Sequence, residues 1–193
     1  MGAIGVCSLL LKVLLSMVTY SGVITWEEIQ SGHFDTRRSP VQLVAYLGYL
    51  SQLKLIRKSP ETAVLENVFK LSDQRALECS AGHCALESRL VLNRFPYWLE
   101  DDVVHLLLFM SSRDWHEQSL HEESNRLLQK NLGELLSRYS LEWKIHVNPP
   151  HKRTVAGLAH AHIFLRSVNS KEMADQIGQI LQSGQSGWEL GSF

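Results

Sequence analysis

Two histidines one residue apart, His160 and His162, stand in the run AHAHIFLR from Ala159 to Arg166. An extended chain turns successive side chains to opposite faces, so both imidazoles share a face with Phe164 and Arg166. Ala159, Ala161, Ile163 and Leu165 share the other. Neutral imidazole is a competent nucleophile near pH 7, which suits attack on a bound molecule. It is also a metal ligand, but no carboxylate or thiol lies beside the pair at ligand spacing, so no metal is expected. The plain structural alternative is a pair of partly buried histidines bonded to backbone or neighbours.

Other residues extend this site. His105 interrupts the apolar run Val103 to Met110, and a buried imidazole without a partner costs about 1–3 kcal/mol, so something must bond it. Asn93, Phe95 and Tyr97 flank Pro96 in a segment that cannot be regular, because proline removes a donor and biases Phe95 toward extension. Phe95, Tyr97, Trp98, Trp143 and Phe164 are able to line a small-molecule cleft, with Asn93 and histidines as polar anchors. For Trp143, which alternates with Leu141 and Ile145, the core is the favoured place. Cys79, His83 and Cys84 lack a second pair to complete a zinc site and read as a loop with two thiols. Glu100, Asp101 and Asp102 read as a solvated turn, and His116, His121 and His151 as solvated side chains.

The elements that position these residues follow from pattern. Leu141, Trp143, Ile145 and Val147 alternate with polar residues, giving a half-buried strand that Asn148-Pro-Pro ends before the His160–His162 strand. Arg89 to Asn93 and Val103 to Met110 are two further strands. Thr25 and Glu28 form a capping box, so a helix starts at Trp26. Ser39-Pro40 and Ser59-Pro60 open two more, the first with Leu43, Val44, Leu47 and Leu50 at helical spacing and Tyr46 and Leu53 widening the stripe. Asp73 to Glu87 reads as a polar connector. A long helix is expected over 119–139 and a last one over 171–181. The helical first third receives no chemistry. The fold class is α+β, an antiparallel sheet packed with helices.

The 193 residues carry a net charge of −1, with 19 basic and 20 acidic side chains. That balance gives no field to concentrate nucleic acid or anionic membrane, and a small-molecule ligand is the expected partner. The chain divides into an apolar extension over 1–22, one α+β domain over 23–183 and a flexible tail over 184–193. The apolar run Ala3 to Val18 is interrupted by Lys12 and is shorter than the ~20 residues that span a bilayer. It reads as an amphipathic or core-docked helix, with a signal or membrane anchor as the alternative. Three cysteines in no regular framework favour a reducing, cytoplasmic setting. Oligomeric state is left open.

Three pieces, ITWEEI at Ile24 to Ile29, NRFPYWLEDDVVHLLLF at Asn93 to Phe109, and Trp143 to Leu165, resemble the largely fungal family named after N-acetylglucosamine-induced protein 1, a domain of unknown function. The resemblance implies an Asn-x-aromatic-Pro-Tyr segment leading to a histidine-bearing strand and then a His-x-His strand. More remotely, Asn148, Thr154 and His-Ala-His resemble the histidine-triad hydrolases and transferases. That resemblance implies a histidine-triad-like sheet, His162 as nucleophile on a phosphate ester with His160 beside it, and Asn148 and Thr154 as polar contacts; Lys152 or Arg153 is able to offset the phosphate charge. Phe164 stands where the triad has its last histidine, and the loop before His160 is longer than the pattern.

Three functions therefore stand open. The first is a nucleotide or phosphate-ester enzyme using His160, His162 and His105, with Asn93, Phe95, Tyr97, Asn148, Arg153, Thr154, Phe164 and Arg166 around the ligand. The second is a cofactor-free isomerase or cyclase of fungal specialised metabolism acting on an apolar terpenoid or polyketide. The third is a non-enzymatic interaction domain. No cofactor is called for by any of them.

Overall fold

The computed structural model describes residues 22–81, 84–110, 115–166 and 171–184. The apolar run over 3–18, His83, and nearly all of the expected tail lie outside the described residues. Among the described residues six helices and four strands follow one another, with a single 3₁₀ turn at Pro150–Lys152. Helices α1 (Trp26–Ser31), α2 (Pro40–Leu55), α3 (Pro60–Asn67) and α4 (Asp73–Ala81) precede β1 (Arg89–Leu92) and β2 (Val103–Met110). Helix α5 (Glu117–Arg138) then leads to β3 (Glu142–His146), β4 (Ala159–Arg166) and α6 (Lys171–Gly184).

The sheet is antiparallel throughout, in the order β1-β2-β4-β3. His160 lies opposite Phe109, His162 opposite Leu107 and Phe164 opposite His105. On the far side of β4, His146 is the partner of His162. Directly opposed residues share a face, so His105, His146, His160 and His162 all project to one side. The alternation expected from AHAHIFLR holds. Ala159, Ala161, Ile163 and Leu165 point the other way into the main core with Leu120, Leu128 and Leu132 of α5 and Ile177 of α6. Trp143 packs against that core as well.

Two smaller apolar clusters sit on the histidine face. One joins Val64 and Leu65 of α3 and Ala76 of α4 to Val91 and Phe109; the other joins Ile24, Trp26 and Ile29 to Tyr97, Val103 and Phe164. The histidines occupy the strip between them.

The helix starts read from sequence hold where caps specify them. Thr25 and Glu28 form the reciprocal capping box, and the Ser39 and Ser59 hydroxyls accept from the amides of Gln42 and Thr62. Three expectations need correction. Asp73 to Ala81 is a helix, because Ala76 and Cys79, three residues apart, both turn inward. The expected stripe of α2 is only in part its core face: of its members Leu53 is buried, and Val44 is exposed. His116 is not merely solvated, since its Nδ1 accepts the Ser119 amide and caps α5, which starts at Glu117.

The cysteines overturn another expectation. Cys79 and Cys84 are joined in a disulfide rather than standing as two thiols. The acidic turn is bonded as well: Glu100 accepts the Trp26 amide at 2.8 Å and Asp102 pairs with Arg166 at 2.9 Å. Among the described residues no helix is long and apolar enough to cross a membrane.

Candidate functional site

Asn93 begins the site. Leaving β1, its backbone amide bonds the His105 carbonyl at 2.9 Å, and its side-chain oxygen accepts the Phe95 amide at 3.0 Å. This local turn, with Pro96 behind it, brings the Tyr97 amide onto the ring of His105. Across the sheet, Asn148 follows β3 and is buried. Its carbonyl accepts Nε of Arg153 at 2.7 Å, which closes the proline-rich loop over it.

The hydrogen bonds fix the tautomers. The Tyr97 amide is 3.2 Å from Nδ1 of His105 and has only a proton to give, so Nδ1 accepts and the His105 proton sits on Nε2. Nε2 donates to Nδ1 of His162 at 2.9 Å, which puts the His162 proton on its own Nε2. That atom is 2.8 Å from the side-chain amide of Asn148. With nitrogen toward His162, the amide would set two donors face to face and leave its oxygen buried without a partner. Turned over, it offers that oxygen to His162 Nε2–H and to the Tyr97 hydroxyl 2.9 Å away. The result is a closed relay in which His105 and His162 have no free lone pair. Burial holds both imidazoles well below their ordinary value, hence neutral, and pushes the Tyr97 phenol up to about 12.

His160 differs. Its Nδ1 is 2.9 Å from the Leu158 carbonyl, an acceptor, so Nδ1 carries the proton and Nε2 the lone pair. Among the described residues no group bonds that Nε2. Burial lowers the His160 pKa, with the Leu158 bond opposing and Arg153 reinforcing the shift.

His160 and His162 line a half-open cleft with about 140 Å³ of free space. Its walls include Asn93, Phe95, Tyr97, Asn148 and Thr154, as expected from sequence. His105 lies behind the wall, bonded to His162. Phe164 is wholly buried among the aromatics below, Arg153 sits against the Trp115 ring, and Arg166 is at the opposite end of β4 with Asp102. None of these three is part of the lining. Trp98 and Trp143 are not either; the Trp143 indole donates to Asn125 at 3.0 Å.

Sequence reading missed the wall supplied by the helical third. Tyr46, Tyr49 and Leu50 of α2, together with Arg38 ahead of it, line the cleft. Phe95 packs on both tyrosines, at 5.5 and 5.1 Å between ring centroids. Tyr46 and Thr154 hydroxyls are hydrogen-bonded across the opening. The available signal was two tyrosines three apart, Tyr46 and Tyr49, among the apolar residues of the helix. Among the described residues no three His, Cys, Asp or Glu side chains gather as a metal-binding set.

Residues 25–166 match the model of a family described as protein of unknown function, DUF3605. No curated protein matches the chain. A crystal structure described as that of HTC1 is similar, with a TM-score of 0.57 and 23% identity over 84% of this chain and 97% of that one. At that identity the likeness concerns the fold alone.

Proposed function

We propose that this chain, which belongs to the DUF3605 family of proteins of unknown function, binds a small, largely unsaturated molecule in the cleft and moves a proton on it through Nε2 of His160. The observation that carries this reading is the division of labour among the histidines. His105 and His162 spend both ring nitrogens on the relay, whereas His160 presents a lone pair to a cleft walled by Phe95, Tyr46 and Tyr49. A neutral imidazole kept so by burial is suited to general-base catalysis at neutral pH. The Leu158 carbonyl holds Nδ1 of His160, and the relay fixes His162, whose ring lies 5.9 Å from that of His160. A cofactor-free isomerisation or cyclisation needs little more than such a base, an orienting wall and a polar anchor.

The histidine-triad reading is less well supported. Its nucleophile would be His162, whose Nδ1 accepts from His105 and whose Nε2 proton points at Asn148. A nucleophile needs a lone pair facing the substrate.

The test is a thermal-shift screen of unsaturated metabolites and nucleoside monophosphates, followed by turnover assays of the hits with chelator present. The expected result is stabilisation by an unsaturated compound and a fall in turnover of about 10²–10⁴ in His160→Gln with binding kept. Stabilisation by nucleotides alone, with turnover lost in His162→Ala and kept in His160→Gln, sinks this reading in favour of phosphate-ester chemistry.

A further inference from the structure

Arg38 and Arg153 differ from the other arginines whose ion pairs are visible: each donates to a backbone carbonyl and lies against an aromatic ring, and of the two only Arg38 lines the cleft. Arg37, Arg75, Arg126 and Arg166 each face a carboxylate, at 2.8, 3.1, 2.6 and 2.9 Å. Among the described residues no carboxylate pairs with Arg38. Its Nε donates to the Phe95 carbonyl at 3.2 Å, and its guanidinium carbon lies 4.0 Å from the ring centroid of Tyr46 and 5.3 Å from that of Tyr97. Two aromatic rings and one backbone bond thus hold the plane of the guanidinium. Its terminal nitrogens are left for a ligand, because Arg38 belongs to the cleft wall.

The rest of the wall has the matching composition. Not one Asp or Glu lines the cleft; of the other cations on it, the Lys152 ammonium already has Asp35 at 3.3 Å and Arg94 is engaged against the Tyr49 and Phe95 rings. Burial is unfavourable for a lone cation and pulls the Arg38 pKa down, a cost that an incoming negative charge would remove.

Resting on the reading of the cleft as a small-molecule site, we infer that its ligand is a planar monoanion, a carboxylate or an enolate conjugated to an apolar body, with its oxygens on the free edge of Arg38. The fork of a guanidinium matches two coplanar oxygens. A phosphate is the poorer fit. Phosphate sites recruit backbone amides from glycine-rich turns or open helix starts. The cleft wall contains no glycine, and the helix starts nearest it, at Pro40 and Pro60, are closed by proline and by the Ser39 and Ser59 hydroxyls. The Arg38 guanidinium offsets the ligand's charge, so a carbon conjugated to a bound carboxylate can give up a proton to His160 Nε2. The proton moves to the imidazole, the electron pair stays on the ligand as an enediolate whose two negative charges face Arg38 and the new imidazolium, and return of the proton at another carbon completes an isomerisation with no external reactant.

The experiment titrates the full chain with cinnamate, with the isosteric neutral cinnamamide, and with phenyl phosphate, by calorimetry. Wild type should bind cinnamate about 10- to 100-fold more tightly than the amide, the effect of a charge-assisted pair. In Arg38→Met, which keeps the apolar stem, that preference should fall to within about threefold of unity. Arg38→Lys, a point charge without the fork, should retain only part of it. Equal binding of acid and amide by wild type, or a preference unchanged in Arg38→Met, overturns the anion assignment while leaving the pocket reading intact. Phenyl phosphate binding more tightly than cinnamate overturns the monoanion class. If none of the three probes binds, the pocket reading falls and takes this inference with it.

Discussion

Nε2 of His105 and Nδ1 of His162, 2.9 Å apart on neighbouring strands, share one proton that belongs to His105. The assignment follows from the Tyr97 backbone amide, which has no alternative but to donate, and it propagates outward to Asn148. A backbone group in an irregular loop thereby sets the protonation pattern of a buried cluster.

Removing one member should leave its neighbours stranded. His105→Ala deprives the Tyr97 amide and His162 Nδ1 of partners, and each buried orphan costs about 1–3 kcal/mol, so a loss of about 2–6 kcal/mol is expected in urea denaturation. A double-mutant cycle with His162→Ala should return a coupling of about 0.5–3 kcal/mol. Additive effects would show that the two rings do not act together.

The same pair makes stability depend on pH. Both folded-state values are depressed well below the 6.5 of a free imidazole. Below pH 6.5 the unfolded chain therefore binds protons that the folded chain refuses, and stability falls as pH falls. The contribution is fully present above 6.5 and is lost progressively between that value and the depressed folded ones, at about 1.4 kcal/mol per proton and pH unit. Denaturation midpoints at pH 7.5, 6 and 5 measure this slope, and His105→Gln should flatten it. A flat profile in the wild type would contradict the burial of neutral rings.

For His160 the pH effect belongs to turnover. In the proposed function its base form is the active one, and its pKa is lowered by burial. The acid limb of kcat/KM should therefore lie below 6.5 and vanish in His160→Gln. Arg153→Gln, which removes a neighbouring positive charge, should move that limb upward.

Reduction of the Cys79–Cys84 bridge opens a loop of sequence separation 5. Chain-entropy arguments assign so short a loop about 2 kcal/mol. The Cys79→Ser, Cys84→Ser double variant should lose roughly that in urea, and reductant should have the same effect on wild type and none on the variant. Mass analysis without reductant, two hydrogens lighter than with it, checks the bond itself.

What sequence made legible here was periodicity and caps. AHAHIFLR declared a two-sided strand, and Thr25, Ser39 and Ser59 declared helix starts because a hydroxyl next to an open amide is a local event. His105 announced its need for a partner through the cost of burying it alone, but the partner's identity depended on β2 and β4 pairing with Phe164 opposite His105. Phe164 was taken for a ligand contact because it shares a face with His162; the adjacent aromatics Phe34 and Tyr97 instead cover it completely. The α2 stripe misled for a similar reason. Apolar spacing marks a face that avoids water, and it does not distinguish a core from a cleft wall. Arg38 gave no signal at all, since only tertiary structure shows that nothing acidic answers it.

Helix α2 and strand β4 face each other across the cleft with opposite mechanical character. Strand β4 is bonded along both edges, whereas α2 buries Leu53 alone and leaves Val41 79% and Leu55 81% exposed. Amide exchange should therefore be slowest under His160 and among the fastest opposite it. If the cleft admits a molecule as proposed, its aperture follows the lightly buried helix, while the histidine-bearing strand keeps its alignment.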